Sequence, residues 1–338
     1  MSVTDSELWQ LGHRAARCLD DDSQLTQLRQ LTGGTSSLTY LATRLHPQGA
    51  ESQVVIKVAP AGLEPVRNRD VLRQARILRT LSGTDVLVPC VLGEDAGSPP
   101  EVPPLFVMEF VAGESYEPMQ RDDQGRSSAT DREVSERALA AVRMLVALHH
   151  LDSATLAVAN EPVVAPADEL RRWHRAFTTT DGDLHPRVVD QAYDLLAAET
   201  PLPLPPVVSH GDWRLGNMQC QGSEIRAVID WEIWSLGDPR LDLSWLLLMA
   251  DPVRLGAVRH GGMPGPAELL AAYEALAGRQ LEGMTWFAAL VRFKQAAASA
   301  LICKNTRKAP IPTDRGLAMA ELVPSLASRA VELLSSRR

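Results

Sequence analysis

The chain is poor in cysteine and has no excess of positive charge. Only four cysteines occur in 338 residues, and none belongs to a C-x-x-C pair. A zinc site or a disulfide framework therefore has little support, and a reduced cytoplasmic location is expected. Acidic residues outnumber basic ones by 42 to 34, which gives a formal net charge of −8. Because nucleic-acid-binding surfaces are basic, nucleic acid is not an expected partner.

Long apolar runs are also missing. No segment reaches about 18 unbroken apolar residues, the length that a membrane-spanning helix needs. The first residues, MSVTDSELWQ, have neither a basic head nor an apolar core, so we expect no secretory signal and no membrane partner. With 45% hydrophobic and 22% charged residues, the composition is typical of an ordinary globular chain of about two domains.

The most informative stretch of the sequence is residues 207–242. An apolar run leads into His210-Gly-Asp212, and Asn217 completes an H-x-D-x-x-x-x-N spacing. A second apolar run, Ile225 to Ile229, ends directly before Asp230. Three oxygen-bearing side chains thus follow short buried segments, an arrangement suited to holding a hydroxyl group and a magnesium nucleotide in one cleft.

Phosphoryl transfer explains why these residue types would be grouped. The reaction needs positioning and charge neutralisation more than covalent help. Asp212 is the candidate base for the proton of the incoming hydroxyl. Asn217 and Asp230 supply the oxygen ligands that Mg²⁺ prefers. Arg214 could reach the transferred phosphate as a permanently charged donor.

Each piece is ambiguous by itself, because a His-Gly-Asp tripeptide is commonly a turn and an Asp after a strand is commonly a helix N-cap. Together, SHGDWRLGN, IDWE and GDPRLDLSW resemble the aminoglycoside phosphotransferase (choline kinase-like) branch of the protein-kinase-like fold. The resemblance implies that Asp212 is the catalytic base, that Asn217 and Asp230 bind magnesium, and that Asp242 is a buried brace of the catalytic loop. It also implies ATP and Mg²⁺ as cofactors.

The expected fold is α+β with two lobes: a nucleotide-binding N-terminal lobe, residues 1–110, and a larger, mainly helical C-terminal lobe, residues 111–338. The small lobe is predicted to be a five-stranded antiparallel sheet with one helix. Its strands are predicted at 25–31, 38–45, 54–58, 86–91 and 105–111.

The small lobe contains the candidate nucleotide-binding residues. Between the first two strands, Gly33, Gly34, Thr35, Ser36 and Ser37 form either a phosphate-binding hairpin loop or a merely flexible turn. The resemblance favours the phosphate loop. It also assigns Lys57 to the phosphates, and it assigns an interlobe hinge whose backbone pairs with the adenine to Met108, Glu109 and Val111.

The helix of the small lobe is predicted to begin at Glu64-Pro65 and to end at Gly83. Relatives carry a glutamate on this helix that orients the strand lysine, whereas this chain has Gln74 at the position that aligns with it. A neutral amide can bond to the ammonium but cannot neutralise it, and Asp70 is an alternative partner.

In the large lobe, Thr130-x-x-Glu133 predicts a capping box at the start of a helix that ends at His149-His150. We interpret these histidines as a solvated helix end rather than metal ligands. Further helices are predicted at 167–180, 186–199, 241–250, 267–277, 285–303 and 317–335.

The acceptor is a small molecule with a hydroxyl group, and its class stays open at this stage. Arg292, Lys294 and Lys304 flank one predicted helix, either as surface cations or as a site for an anionic hydroxyacyl acceptor instead of an aminoglycoside. The pattern also resembles kinase-like domains associated with acyl-CoA dehydrogenase relatives, which fits an anionic acceptor. The sequence therefore predicts an ATP- and Mg²⁺-dependent small-molecule phosphotransferase. The alternatives are a nucleotide-binding regulatory module, which Gln74 would suit, and a metallophosphatase, for which the companion ligands are missing.

Overall fold

The computed structural model describes residues 5–31, 37–117, 129–154, 156, 158, 160–180, 182–251 and 262–336. The chain divides into two compact units, each built from several segments. Unit 1 comprises Met1–Ser115, Ala154–Asn160 and Gly216–Trp234, and unit 2 comprises Tyr116–Ser153, Glu161–Leu215 and Ser235–Arg338. The division is thus not a single cut near residue 110.

Unit 1 is built on an antiparallel sheet of five strands, as the sequence predicts. The strands are β1 (Gln24–Gln30), β2 (Leu38–Leu45), β3 (Glu51–Val58), β4 (Val91–Asp95) and β5 (Leu105–Glu109), in the order β1-β2-β3-β5-β4. In this register Lys57 of β3 lies opposite Thr39 of β2 and Phe106 of β5.

The prediction of a strand at 86–91 is wrong, because β4 begins only at Val91. Proline cannot donate a ladder hydrogen bond, and Pro89 interrupts the predicted run. The segment before it bonds elsewhere: the Leu87 carbonyl accepts from the Val228 N–H at 2.8 Å.

Two helices complete the N-terminal part of unit 1, α1 (Asp5–Ala16) and α2 (Val71–Leu81). The predicted start of α2 at Glu64-Pro65 is also wrong, since a 3₁₀ turn over Arg67–Arg69 comes first. Asp70 is the N-cap of α2, and its side chain accepts the Arg73 N–H at 3.1 Å. Asp70 therefore serves the helix terminus, and it is not the partner of Lys57.

A hairpin from the second half of the chain also belongs to unit 1. It consists of β8 (Met218–Gln221) and β9 (Glu224–Val228). Cys220 and Glu114 exchange two backbone hydrogen bonds of 2.7 and 2.9 Å, which tie the hairpin to the segment after β5. Gly113 permits this approach, because a Cβ there would lie 2.9 Å from the Cys220 carbonyl oxygen.

Unit 2 is mainly helical, with a small three-stranded sheet in the order β6-β10-β7. Its strands are β6 (Val163–Val164), β7 (Val207–Ser209) and β10 (Ser235–Gly237). Its helices are α3 (Asp131–His150), α4 (Pro166–Phe177), α5 (Arg187–Ala198), α6 (Arg240–Met249), α7 (Pro266–Ala277), α8 (Met284–Lys308), α9 (Asp314–Ala318) and α10 (Leu322–Ser335).

Most helix predictions in unit 2 are confirmed, including the capping box of Thr130 and Glu133. The last one is corrected, because the predicted helix 317–335 is divided into α9, a 3₁₀ turn and α10. Pro324 is the third residue of α10, within the first turn, where proline breaks no helical hydrogen bond. Helix α8 runs to Lys308, longer than predicted, and ends just before Pro310.

Helix α8 forms the centre of the unit 2 core. Trp286, Phe287 and Phe293 are fully buried on it, among side chains of α4, α5 and α10. Within the described residues, α8 is also the one helix long and apolar enough to cross a membrane. Of its most apolar window, 78% is buried inside the protein, as in the core helix of a globular domain.

Candidate functional site

The candidate residues fall into two sets, one within each unit. In unit 1, Lys57 is the centre of the first set. It is buried on β3, and its Nζ lies 3.3 Å from Oε1 of Gln74 and 3.1 Å from Oδ1 of Asp230. Lys57 and Asp230 are 173 residues apart in the chain, so the fold brings two of the predicted site residues into direct contact.

Asp230 has an unusual backbone conformation. It follows β9 with a φ of 66°, in the left-handed region that residues other than glycine rarely adopt. Such backbone conformations persist only where the surrounding structure holds them in place, and they are enriched at functional sites. The Asp230 side chain is 42% exposed, so one face of its carboxylate is open while Oδ1 contacts Lys57.

Asn217 lies on the segment next to Asp230. It ends a 3₁₀ turn (Leu215–Asn217), is buried, and its carbonyl accepts the Ile229 N–H at 2.9 Å. A carboxylate and an amide on neighbouring segments fit a hard divalent cation, which takes one or two protein oxygens besides phosphates and water. Asn217 and Asp230 are therefore the residues of unit 1 that could hold Mg²⁺. The described residues contain no cluster of three His, Cys, Asp or Glu side chains for a softer metal.

Gln74 is almost fully buried on α2. Its Oε1 accepts from Lys57, and its Nε2 has no hydrogen-bond partner within the described residues. The side chain lines a small cavity of about 10 Å³ with Lys57, Asp230 and Met108. A buried amide donor without a partner is uncommon in native proteins and calls for an explanation.

The predicted hinge lies at the end of β5. The Glu109 N–H donates to the Cys90 carbonyl at 2.9 Å, and the Glu109 carboxylate accepts the Cys90 N–H at 3.1 Å. Both the N–H and the carboxylate of Glu109 are thus bonded to the backbone of Cys90, the residue directly before β4. Val111 lies beyond the last strand residue, and its backbone forms no hydrogen bond in the part of the chain that the structure describes. Contact of Met108, Glu109 and Val111 with a nucleotide base stays a prediction.

Of the predicted phosphate loop, residues 33–36 lie outside the described residues, whereas Ser37 is described and buried. The loop assignment therefore stays a prediction.

In unit 2, Asp212 follows β7 through a tight turn in which Gly211 has a φ of 86°. The Asp212 carboxylate accepts from the Trp245 Nε1–H and from Arg214 Nε at 3.0 and 3.2 Å. Arg214 also lies 3.7 Å from the buried Glu117. The structure therefore pairs Arg214 with Asp212 and Glu117, and its contact with a phosphate stays a prediction.

Asp242 on α6 braces the turn that carries Asp212. It is fully buried and accepts the His210 N–H at 2.6 Å and the Gly211 N–H at 2.7 Å. Burial alone would raise the pKa of Asp242. The nearby His149 imidazole, together with His210 and the Gly211 N–H, outweighs burial and holds this pKa below its usual value. The brace therefore carries a buried negative charge.

His149 corrects a sequence prediction. It is buried rather than solvated: its Nδ1 lies 2.8 Å from the Tyr273 hydroxyl and its Nε2 lies 3.8 Å from Oδ2 of Asp242. Burial raises the pKa of Tyr273 to about 12, so Tyr273 stays protonated as a hydrogen-bonding group. Both histidines were predicted to be exposed, and of the two His150 alone is.

Lys294 contacts the turn that carries Asp212, a position that the sequence did not predict. It was predicted to be a surface cation or part of an anionic-acceptor site, but it is buried, and its Nζ donates to the Gly211 carbonyl at 2.6 Å. The Nζ lies 4.7 Å from the ring centre of Trp245 and 3.9 Å from Oε1 of Glu169. The signal was present in the spacing, because position 294 follows Leu290 by four residues, on the inward face of the helix.

The two other cations named with Lys294 also have partners. Arg292 is buried and paired with Asp251, and burial lowers its pKa. Lys304 is partly buried and donates to the Thr179 carbonyl.

The fold is of the protein-kinase-like class found in phosphotransferases, and comparison with known proteins agrees. The sequence profile of the phosphotransferase enzyme family, APH, matches residues 27–290. This match covers most of the chain, and the protein belongs to that family.

Solved structures share the fold across nearly the whole chain. One is a Ralstonia eutropha protein described as a candidate aminoglycoside phosphotransferase, with a TM-score of 0.76, 21% identity and 98% of each chain covered. Another is macrolide 2′-phosphotransferase type I, with a TM-score of 0.60, 19% identity and the same coverage. A third is a thermostable mutant of aminoglycoside phosphotransferase APH(4)-Ia in a ternary complex with ADP and hygromycin B. Its TM-score is 0.60 at 16% identity, and the match covers 97% of this chain and 98% of the other. At these identities the likeness shows the fold alone.

A curated relative is acyl-CoA dehydrogenase family member 10 of Mus musculus, 28% identical over 233 residues. The matched part is 66% of this chain but only 20% of the mouse protein, so the chain corresponds to about a fifth of that relative.

Proposed function

We propose that the protein transfers the γ-phosphoryl group of ATP, bound with Mg²⁺, to a hydroxyl group of a small molecule. The observation that carries the proposal is the ion pair between Lys57 and Asp230. It joins a strand lysine suited to phosphates with a carboxylate suited to a divalent cation, inside the unit that also contains the predicted hinge. Membership of a family of phosphotransferases supports the same reaction type.

In this proposal Asp212 accepts the proton of the acceptor hydroxyl while the acceptor oxygen bonds to phosphorus and ADP leaves. Hydrogen bonds from Trp245 and Arg214 fix the orientation of the carboxylate. The backbone before Asp212 is fixed on both sides of Gly211. Asp242 accepts the Gly211 N–H, and Lys294 donates to the Gly211 carbonyl. Mg²⁺ held by Asn217 and Asp230 would neutralise phosphate charge during the transfer.

We favour an anionic hydroxyacyl acceptor over an aminoglycoside, although Arg292, Lys294 and Lys304 all have partners within the protein. A polycationic sugar needs carboxylates that are open to it, yet Glu117 is paired with Arg214. Glu169 is within 4 Å of Arg172 and Lys294 and also accepts the Trp173 Nε1–H. The likeness of the chain to part of an acyl-CoA dehydrogenase family member supports an acyl compound.

The test is a panel of acceptors with ATP and Mg²⁺, read by ADP release and by mass of the phosphorylated product. We expect product with carboxylate- or thioester-bearing hydroxy compounds and none with aminoglycosides or macrolides. Asp212→Ala should abolish turnover and leave ADP binding intact. Phosphorylation of aminoglycosides alone would discard the acceptor class, and wild-type turnover by the variant would discard the role of Asp212.

A nucleotide-binding regulatory module is the second candidate, and the neutral Gln74 beside Lys57 is the observation that favours it. Nucleotide binding without ADP release across the whole panel would select this candidate. The metallophosphatase alternative gains no support, because the described residues hold no cluster of three metal-ligating side chains.

A further inference from the structure

The ammonium of Lys57 has one charged and one neutral partner. Lys57 is buried, and its ammonium contacts one neutral group, Gln74, and one carboxylate, Asp230. A buried cation is stable only when it is paired and hydrogen-bonded. Of these two partners, Asp230 alone carries a charge that can balance the ammonium.

Asp230 therefore has two roles that compete. Its carboxylate balances the charge of Lys57, and it is also a candidate ligand for a divalent cation. A cation bound at Asp230 would weaken the ion pair and leave Lys57 with the amide oxygen of Gln74, which carries no charge. Phosphate oxygens would then be the charge partner of Lys57, and their binding would in turn free the Asp230 carboxylate.

Helix α2, which carries Gln74, is held against the segment that follows Asp230. Arg73, next to Gln74, donates to the Trp234 carbonyl at 2.8 Å, and the Trp234 Nε1–H donates back to the Arg73 carbonyl at 3.2 Å. The Arg73 guanidinium also stacks 4.0 Å over the Trp234 ring. These contacts fasten α2 to the segment that follows Asp230, and they keep Gln74 beside Lys57 and Asp230.

We infer that the Lys57–Asp230 ion pair, left without a second carboxylate by Gln74, couples nucleotide binding to divalent-cation binding, so that each ligand strongly raises the affinity for the other. The inference rests on the proposed function, in which both ligands bind unit 1. Coupling of this kind is reciprocal: the factor by which the cation strengthens nucleotide binding equals the factor by which the nucleotide strengthens cation binding.

The test compares Gln74→Glu with a matched control, Arg76→Gln. Both substitutions lower the net charge by one on α2, but Gln74 contacts Lys57 whereas Arg76 is exposed. ADP affinity is measured by calorimetry in EDTA and in saturating Mg²⁺. Cation affinity is measured with Mn²⁺, from the electron paramagnetic resonance signal of the free ion, with and without ADP. The affinity of either cation for ADP in solution is common to all variants and cancels in the comparison.

In Gln74→Glu the new carboxylate pairs with Lys57 and releases Asp230. We expect Mn²⁺ without ADP to bind about tenfold more tightly than in the wild type, with little change when ADP is present. The gain in ADP affinity on adding Mg²⁺ should shrink by the same factor, and Arg76→Gln should match the wild type. An equal rise in Mn²⁺ affinity with and without ADP would overturn the inference, since it would mean simple attraction by the added charge.

Gln74→Met gives a second measurement if a buried glutamate prevents folding. It removes the amide but keeps the Lys57–Asp230 pair, so the coupling should be at least as large as in the wild type, and loss of coupling would overturn the inference. Absence of ADP binding in every protein and condition would instead reject the proposed function. Binding of ADP with no difference between the variants would reject the coupling alone.

Discussion

Lys294 holds the carbonyl of Gly211, the residue directly before the candidate base Asp212, with a hydrogen bond of 2.6 Å. The same ammonium lies against the ring of Trp245, whose Nε1–H bonds to the Asp212 carboxylate. One buried cation on α8 thus supports both the backbone and the side chain of the proposed catalytic aspartate.

We predict that Lys294→Met lowers turnover about tenfold to hundredfold, because small displacements of a catalytic group have effects of this size. The affinity for ADP should not change, since the nucleotide residues belong to unit 1. Lys304→Met, on the same helix but less buried, is the control and should keep wild-type turnover. Lys294→Arg should restore part of the loss. Equal effects of both Met variants would reject a positioning role for Lys294.

A second prediction concerns the dependence of stability on pH. The pKa of Asp242 is lower in the folded protein than in the unfolded chain, so the unfolded chain binds more protons in acid. The contribution of Asp242 to the free energy of unfolding is therefore complete above about pH 5. It decreases as the pH falls below about 4, the usual pKa of an aspartate, towards the folded value.

Asp242→Asn tests this prediction by urea unfolding between pH 3 and pH 7. An amide cannot accept both the His210 and Gly211 N–H groups as the carboxylate does. We expect the free energy of unfolding to drop by about 2–4 kcal/mol at pH 7. The difference from the wild type should shrink as the pH is lowered, because protonation removes the charge from Asp242. A difference that stays constant across this range would contradict the assignment of a buried charge.

A third prediction separates the two roles considered for Asp70. As the N-cap of α2, Asp70 should contribute about 1 kcal/mol, which Asp70→Ala would lose. Asp70→Asn keeps a capping oxygen and removes the charge, so stability should remain close to that of the wild type. ADP affinity should be unchanged in both variants. A loss of ADP affinity in Asp70→Asn would instead indicate that its charge serves Lys57.

A fourth prediction concerns the contact between α2 and the segment after Asp230. Arg73→Met removes the donor to the Trp234 carbonyl and the cation over its ring. We expect the free energy of unfolding to fall by about 1–3 kcal/mol. Because the fluorescence of a buried tryptophan reports its surroundings, the emission spectrum should shift as well. Arg79→Met, at an exposed position of the same helix, is the control. It removes an exposed ion pair with Glu94, so it should lower the free energy of unfolding by less than about 1 kcal/mol and leave the emission unchanged.

The parts of the fold that the sequence predicts are those governed by local pattern. The strands around Lys57 and the capping box at Thr130 depend on residues close in sequence, and both are confirmed. The start of α2 and the position of β4 were mispredicted, because a side-chain cap at Asp70 and an interruption at Pro89 outweighed the apolar pattern.

For the candidate site, motif spacing identified Asp212, Asn217 and Asp230, whose roles toward ligands stay predictions. It did not place Lys294 beside Gly211, because the partners that stabilise its burial come from other helices. The contact of Gln74 with Lys57 agrees with the position that the family resemblance assigns to the partner of the strand lysine. The pairing of Lys57 with Asp230 depends on the tertiary fold.

Helix α8 combines the hydropathy of a membrane segment with a position inside a helical core. Its cover includes α10 at the C-terminal end of the chain, where Val323, Leu326 and Ala330 are buried against the same core. A shortened chain that ends before Leu322 would therefore leave this apolar surface open to water, and self-association during expression would follow from the lost cover.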